Sequence, residues 1–298
     1  MITGDVALVL MLTLAYLVSS NNLSLVAGVA VGSRLLRPGV AMMIALAGYL
    51  TGLVLQGTEM KGYGVGPSGL LILSVIGVLI FMIGEVSKVP MSITNSLYMS
   101  WSALILYMDG SLPFNFPVVL ASWLGTPLLL ALAAYFIYPI LARTSALSNP
   151  IRRLSAFRLM IILTVFLVGY SFGANNLGLM WSMLGFSRVG LMGIVLASTL
   201  GVIVTGRRTL GQFSRGMYIP PPISGGVTQL LSFVALELST VFAIPISLTL
   251  CTIGSLLGIS MARGMRILNT QYLRLVLIGY VATMLIAFTG ALLAVNLV

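Results

Sequence analysis

The sequence predicts an all-α, polytopic membrane protein with about ten transmembrane helices in two inverted repeats of five helices each. Of the 298 residues, 59% are hydrophobic and only 7% are charged. A soluble domain carries about 25% charged residues, so this chain has too few to cover itself with a water-facing surface. Two polar motifs also recur in each half of the chain at nearly the same spacing, which indicates an internal repeat.

Apolar runs of about 20 residues, long enough to cross a bilayer as a helix, recur along the whole chain. These runs do not alternate in the way that the strands of a membrane β-barrel do. The N-terminus lacks a basic segment, so we expect the first span to be a retained helix and not a cleaved signal peptide. The predicted spans lie near 6–31, 38–57, 68–85, 90–108, 113–140, 157–184, 189–205, 223–243, 245–262 and 272–297.

The basic residues predict the orientation of these spans. If the N-terminus is outside, thirteen of the fifteen Lys and Arg residues fall on the inner side, and only Lys61 and Arg188 fall outside. Such a bias normally sets the topology of a membrane protein. We therefore expect a multi-pass protein of the cell membrane with both termini outside. The net charge of +10 then reflects topology and not binding to nucleic acid.

The internal repeat is visible in two motifs. Ser20-Asn21-Asn22-Leu23 matches Ala174-Asn175-Asn176-Leu177 at an offset of 154 residues, and Pro90-Met91-Ser92-Ile93-Thr94 matches Pro245-Ile246-Ser247-Leu248-Thr249 at an offset of 155. We divide the chain into a first repeat at 1–142, a polar cytoplasmic linker at 143–156 and a second repeat at 157–298. Five spans in each half place the second half in the membrane with inverted topology, a design of many secondary transporters.

Both motifs contain groups that are unusual inside a membrane. An unpaired amide in hydrocarbon is costly, so polar groups at such depth usually face a bundle interior or a wet cavity. The alternative is that the amides only hold helices together.

The two Pro residues predict helix starts, with Ser92 and Ser247 in the first turn and Thr94 and Thr249 as further donors. A helix N-terminus with free N–H groups and hydroxyls is an anion site. In the simpler alternative, Pro starts the helix and Ser caps it.

At these motifs the sequence resembles the inorganic phosphate transporter (PiT) family, whose members carry a repeated G-A-N-D-x-A-N-A signature and a repeated P-V-S-T-T motif. The resemblance extends over both halves, although each motif is degenerate. It implies a secondary transporter of phosphate, or of sulfate in some relatives, usually coupled to sodium or protons. Carried over by position, the residues that line the substrate and ion sites are Asn21, Asn22, Asn175, Asn176, Ser92, Thr94, Ser247 and Thr249.

The sequence departs from the family pattern symmetrically. The Asp of the family is Asn22 in one half and Asn176 in the other. This change removes the carboxylates that sodium prefers as ligands, and it removes strong acceptors for the hydroxyl of a protonated phosphate. The site chemistry therefore favours sulfate slightly, whereas the resemblance favours phosphate. A sulfate permease and a passive anion channel or uniporter without sodium coupling stay open as alternatives.

Few residues remain as candidates for coupling or catalysis. Glu237 lies within an apolar span and is an ion-coupling candidate together with Asn22 and Asn176, the alternative being that Glu237 pairs with an Arg or with Gln229. The chain has no His, one Cys and five acidic residues, which argues against a membrane enzyme and against a metal site. No cofactor is expected beyond a coupling Na+ or H+. The expected partners are inorganic phosphate or sulfate and the lipid bilayer, with a homodimer left open.

Overall fold

The computed structural model describes residues 2–87, 89, 91–146, 149–216, 222–264 and 270–296, and every regular element within them is helical. A 3-10 turn at Gly57–Glu59 follows α2, and a π-helical turn at Gly173–Leu177 joins α6 to α7. The helices are α1 (Ile2–Gly32), α2 (Pro38–Gln56), α3 (Pro67–Ser87), α4 (Ile93–Asp109), α5 (Phe116–Ala146), α6 (Pro150–Phe172), α7 (Gly178–Met183), α8 (Arg188–Gly216), α9 (Pro222–Val241), α10 (Leu248–Arg263) and α11 (Thr270–Val295).

Within the described ranges, seven helical segments are long and apolar enough to cross a membrane. The chain is therefore an all-helical, multi-pass membrane protein. Helices overlap all ten predicted spans, but α4 and α10 are only 17 and 16 residues long, and α9 is not among the seven. The number of ten membrane crossings therefore stays a prediction.

The main helix contacts connect the first half of the chain to the second. Helix α1 packs against α8 and α2 against α6, while α4 packs against α11 and α5 against α10. The interior is thus built from both halves together, and a site at the centre receives side chains from each.

Glycines allow two of these pairs to approach closely. A Cβ at Gly52 of α2 would overlap the carbonyl oxygen of Tyr170 in α6, and a Cβ at Gly258 of α10 would overlap that of Ala131 in α5. Gly48 and Gly254, one turn earlier on the same helices, make similar backbone contacts. Gly28 and Gly32 of α1 have the same spacing of four residues, but nothing lies within 4 Å of a Cβ at Gly28.

The helix starts differ from the sequence prediction. The chain from Phe242 to Ser247 is not helical, so a six-residue connection separates α9 from α10 where almost no loop was expected. Ser92 and Ser247 are the N-caps of α4 and α10 and do not lie in their first turns. Pro245 accordingly precedes the cap by two residues and is not the first helical residue, whereas Pro90 lies outside the described residues.

Candidate functional site

The π-helical turn of the second half carries the buried amides Asn175 and Asn176, neither of which has any solvent exposure. An unsatisfied amide at such a position would be costly, so each side chain is expected to have partners. The two side chains have different partners, and they differ in the number of amide hydrogens that stay free to bind a ligand.

Asn175 holds the connection that leads into α10. Its Nδ2 donates to Thr240 Oγ1 at 3.1 Å and to the Ile244 carbonyl at 2.9 Å, and its Oδ1 accepts from the Ile246 N–H at 3.2 Å. Both amide hydrogens are therefore engaged. Asn175 positions the start of α10 through these contacts, and its role as a substrate ligand stays a prediction.

Asn176 connects the two halves. Its Nδ2 donates to the hydroxyl of Thr94 on α4, and Tyr49 Oη donates to its Oδ1 at 3.4 Å. Thr94 is itself 4% exposed, so this contact lies in the protein interior. Two residues from different motifs in different halves of the chain thus meet.

The two Ser-capped helix tips lie close to one another. Ser92 Oγ accepts from the Asn95 N–H at 3.4 Å and donates to Asn95 Oδ1 at 2.9 Å. Ser247 makes no capping hydrogen bond with its side chain. The side chains of Ser92 and Ser247 both lie near the hydroxyl of Tyr280 on α11, which packs against Leu250 and Ile253 of α10. The N-termini of α4 and α10 therefore point toward a common buried region.

Asn21, Asn22 and Thr249 are less enclosed than their counterparts. All three are half-buried, and within the described part of the chain their side chains make no hydrogen bonds. Helical spacing places Asn22 on the same face of α1 as Leu25 and Val26. These two residues line a small cavity, which α10 closes with Leu248, the residue after Ser247, and with Thr252.

The wall of this cavity also includes hydroxyls from α9 that the sequence analysis did not single out. Thr228 and Ser232 are about 99% buried, and in the described part of the chain neither hydroxyl oxygen has a hydrogen-bond partner. A buried hydroxyl in a membrane helix usually donates to the carbonyl four residues earlier. Gln229 is not the partner of Glu237, because it donates to the Val26 carbonyl at 2.7 Å and accepts from Thr164 at 2.8 Å.

Glu237 lies beside the π-helical turn and is half-buried. Gln56 Nε2 donates to its Oε1 at 2.7 Å, and Ser171 Oγ donates to its Oε2. Ser171 and Glu237 lie one helical turn from Asn175 and Thr240, respectively. The carboxylate therefore adjoins the Asn175 contacts. Its hydrogen-bond partners among the described residues are the Gln56 amide and the Ser171 hydroxyl, and not the Arg or Gln229 of the alternative interpretation.

Three residues of this region were missed by the sequence analysis. Asn95 directly follows Thr94, and its amide inside an apolar span was a usable signal. Gln56 ends an apolar span and resembles an ordinary interface residue. Tyr280 is one of eleven tyrosines, and nothing in its neighbouring sequence distinguishes it.

Long apolar helices and a buried cluster of amides and hydroxyls between two helix tips define a multi-pass membrane protein with a polar interior site. No protein-family model matches the chain. It is 20% identical over 287 residues, which are 96% of this chain and 95% of the relative, to the "Putative phosphate permease" of Methanocaldococcus jannaschii. Among solved structures, its fold matches one described as the sodium-dependent phosphate transporter, with a TM-score of 0.77, 15% identity and coverage of 100% and 99% of the two chains.

These comparisons confirm the resemblance to the phosphate transporter family that the two motifs indicated. Both similar proteins carry the names of transport proteins and neither is named as an enzyme. At 15% identity, the structural match establishes the fold.

Proposed function

We propose that this protein is a secondary transporter of an inorganic oxyanion, with phosphate as the first candidate substrate, in the cytoplasmic membrane. The observation that carries the proposal is that Ser92 and Ser247, the caps of two helices from different halves, lie near one buried hydroxyl. The names of the two similar proteins agree with this substrate class.

The chemistry of the site suits an anion that has lost its water. The N-termini of α4 and α10 each present free backbone N–H groups and the positive end of a helix dipole. The hydroxyls of Ser247 and Thr94 and the second amide hydrogen of Asn176 add neutral hydrogen-bond donors. Neutral donors at helix N-termini bind phosphate and sulfate in many proteins without a fixed positive charge.

Hydroxyls at the tips favour phosphate over sulfate. A protonated phosphate needs an acceptor for its own hydroxyl, and each Ser or Thr oxygen can accept as well as donate. These oxygens replace part of the acceptor capacity that is lost where Asn22 and Asn176 stand in place of Asp. Sulfate, which has no hydroxyl at neutral pH, remains the second candidate.

The helix contacts support two inverted repeats at 1–142 and 157–298. If α1–α5 correspond to α6–α11, with α6 and α7 counted as one helix, the pair α1–α8 corresponds to α6–α2, and α4–α11 corresponds to α10–α5. Helices α4 and α10 also end in the same way, each with a C-cap glycine in the left-handed backbone conformation. These glycines, Gly110 and Gly264, are 154 residues apart. The distribution of Arg and Lys supports both termini outside.

A difference between the halves supports alternating access. Asn176 and Thr94 form a hydrogen bond. The corresponding residues Asn22 and Thr249 are half-buried, and their side chains make no hydrogen bond within the described ranges. The chain is π-helical at Asn176 but α-helical at Asn22. In an alternating mechanism the same contact forms in one half at a time. With the N-terminus outside, Asn22 lies toward the inner side, so this conformation faces inward.

Glu237 is the proposed coupling residue, with Asn22 and Asn176 as further cation ligands. A carboxylate inside a membrane usually marks a proton or cation site. The Gln56 Oε1 atom is buried and has no partner, and the amide to which it belongs donates to Glu237. A carboxylate with an adjacent amide oxygen suits Na+ or H+.

Uptake into proteoliposomes tests the proposed function. The purified protein should take up labelled phosphate with saturable kinetics, in preference to labelled sulfate, and an inward Na+ or H+ gradient should accelerate uptake. Saturable uptake that ignores both gradients would identify a uniporter. The absence of saturable uptake of either anion would refute the proposal.

A further inference from the structure

Two buried donors at the tip of α4 have no hydrogen-bond partner among the residues that the structure describes. They are Nδ2 of Asn95, which is fully buried, and Oη of Tyr280, which is 95% buried. Buried polar groups without partners are rare in folded proteins and call for an explanation such as a bound ion or water. The contacts already described for the site engage neither atom.

The capping bonds of Ser92 orient the Asn95 amide. Ser92 Oγ accepts the Asn95 N–H, so its own hydrogen is free to donate to Asn95 Oδ1. The carbonyl side of the amide therefore faces the cap, and the NH2 group faces away from it. Thr94, the preceding residue, contacts Asn176, so Asn95 lies one residue from the junction of the two halves.

Helix α11 brings Tyr280 to the same place. Thr283, one turn beyond Tyr280, accepts the Ser92 N–H through its Oγ1 at 3.4 Å. This contact fixes α11 against the tip of α4. The Tyr280 hydroxyl then lies beside Ser92 and Ser247 without a hydrogen bond of normal geometry.

We propose that Asn95 Nδ2 and Tyr280 Oη are direct ligands of the transported oxyanion and place it closer to the tip of α4 than to the tip of α10. This inference rests on the proposed function. The residue that corresponds to Asn95 in the second half is Leu250, at the same offset of 155 as the surrounding motif, so this donor exists at one tip only. The anion site is thus asymmetric although the motifs around it are repeated.

The test compares isosteric variants in reconstituted protein. Tyr280→Phe removes one unpartnered oxygen, and Asn95→Leu inserts the residue that the second half itself carries. Each should raise the KM for labelled phosphate roughly tenfold or more, as expected for a lost hydrogen bond to an anion. Asn95→Asp keeps the shape but adds a negative charge and should raise the KM further. Tyr135→Phe, on the exposed side of α5, is the matched control and should leave the KM unchanged.

The outcomes separate this inference from the proposed function. If the unmodified protein shows no saturable uptake of phosphate or sulfate, the proposed function fails. If the unmodified protein transports and both variants keep its KM, the transporter proposal stands and the inference is wrong. Thermal unfolding in detergent is the second readout. Tyr280→Phe should unfold at the same temperature as the unmodified protein, and a marked loss of stability would mean that the hydroxyl has a structural role, which overturns its role as a ligand.

Discussion

The side-chain amide of Asn176, in the π-helical turn after α6, donates a hydrogen bond to the hydroxyl of Thr94 in the first turn of α4. The two residues are 82 positions apart in the chain and belong to different halves. A buried contact of this kind joins the halves where the proposed anion site lies.

Asn176→Ala and Thr94→Val should each reduce phosphate uptake at least tenfold, because each removes one side of this contact. The double variant should be no worse than the more severe single variant, since the two changes remove the same interaction. Uptake rates in proteoliposomes, corrected for reconstituted protein, give this comparison. Additive losses would mean that the two side chains act separately.

Asn175 and Asn21 occupy corresponding positions but should behave differently. Asn175→Ala leaves the Ile246 N–H and the Ile244 carbonyl without partners, and we expect a loss of about 2 kcal/mol in stability. Asn21 makes no hydrogen bond in the described structure, so Asn21→Ala should change stability by less than about 0.5 kcal/mol. Thermal unfolding in detergent measures both. Equal effects would contradict the interpretation that Asn175 holds the connection before α10 in place.

The close approach of α2 and α6 requires glycine on both helices. Gly52→Ala and Gly173→Ala would each press a methyl group into a backbone carbonyl of the facing helix, so we expect losses of about 3 kcal/mol or failure to fold. Gly28→Ala is the matched control, because nothing lies within 4 Å of its Cβ. The measurements are the yield of monodisperse protein and its unfolding temperature. A stable Gly52→Ala variant would argue against this packing.

Glu237→Gln should separate coupling from transport. The substitution removes the charge but keeps an amide oxygen to accept from Gln56. We expect gradient-driven uptake to fall at least tenfold, while exchange of labelled for unlabelled phosphate at equal concentrations continues. Glu59→Gln, an exposed change in the 3-10 turn, is the control. If gradient-driven uptake in Glu237→Gln equals that of the unmodified protein, coupling lies elsewhere.

The helical membrane fold could be predicted from the sequence because hydropathy and helix length depend on local runs of residues. The motifs marked Asn176 and Thr94 as candidate site residues, and the structure shows that these two side chains are in contact. Local patterns did not reveal that Asn175 binds the connection before α10 whereas Asn176 binds Thr94. This difference depends on the π-helical turn that directs the two side chains. The proposed role of Tyr280 could not be predicted from the sequence, since it depends on where α11 packs against α4.

The position of the helix starts was a smaller error with a clear cause. Pro245 has the properties of a first helical residue, but the Asn175 side chain holds Ile244 and Ile246 in a non-helical conformation. A tertiary contact thus overrides the local preference of Pro and moves the start of α10 to Leu248.

The convergence of the two helix tips on one anion can be tested by cross-linking. The hydroxyls of Ser92 and Ser247 share Tyr280 Oη as a neighbour, so the two side chains should be within reach of a short cross-linker. In a Cys251→Ala background, the Ser92→Cys and Ser247→Cys pair should be joined by a short bifunctional thiol reagent, and phosphate at millimolar concentration should slow the reaction where chloride does not. Failure to cross-link in folded protein, or equal rates with and without phosphate and sulfate, would contradict a shared anion site between α4 and α10.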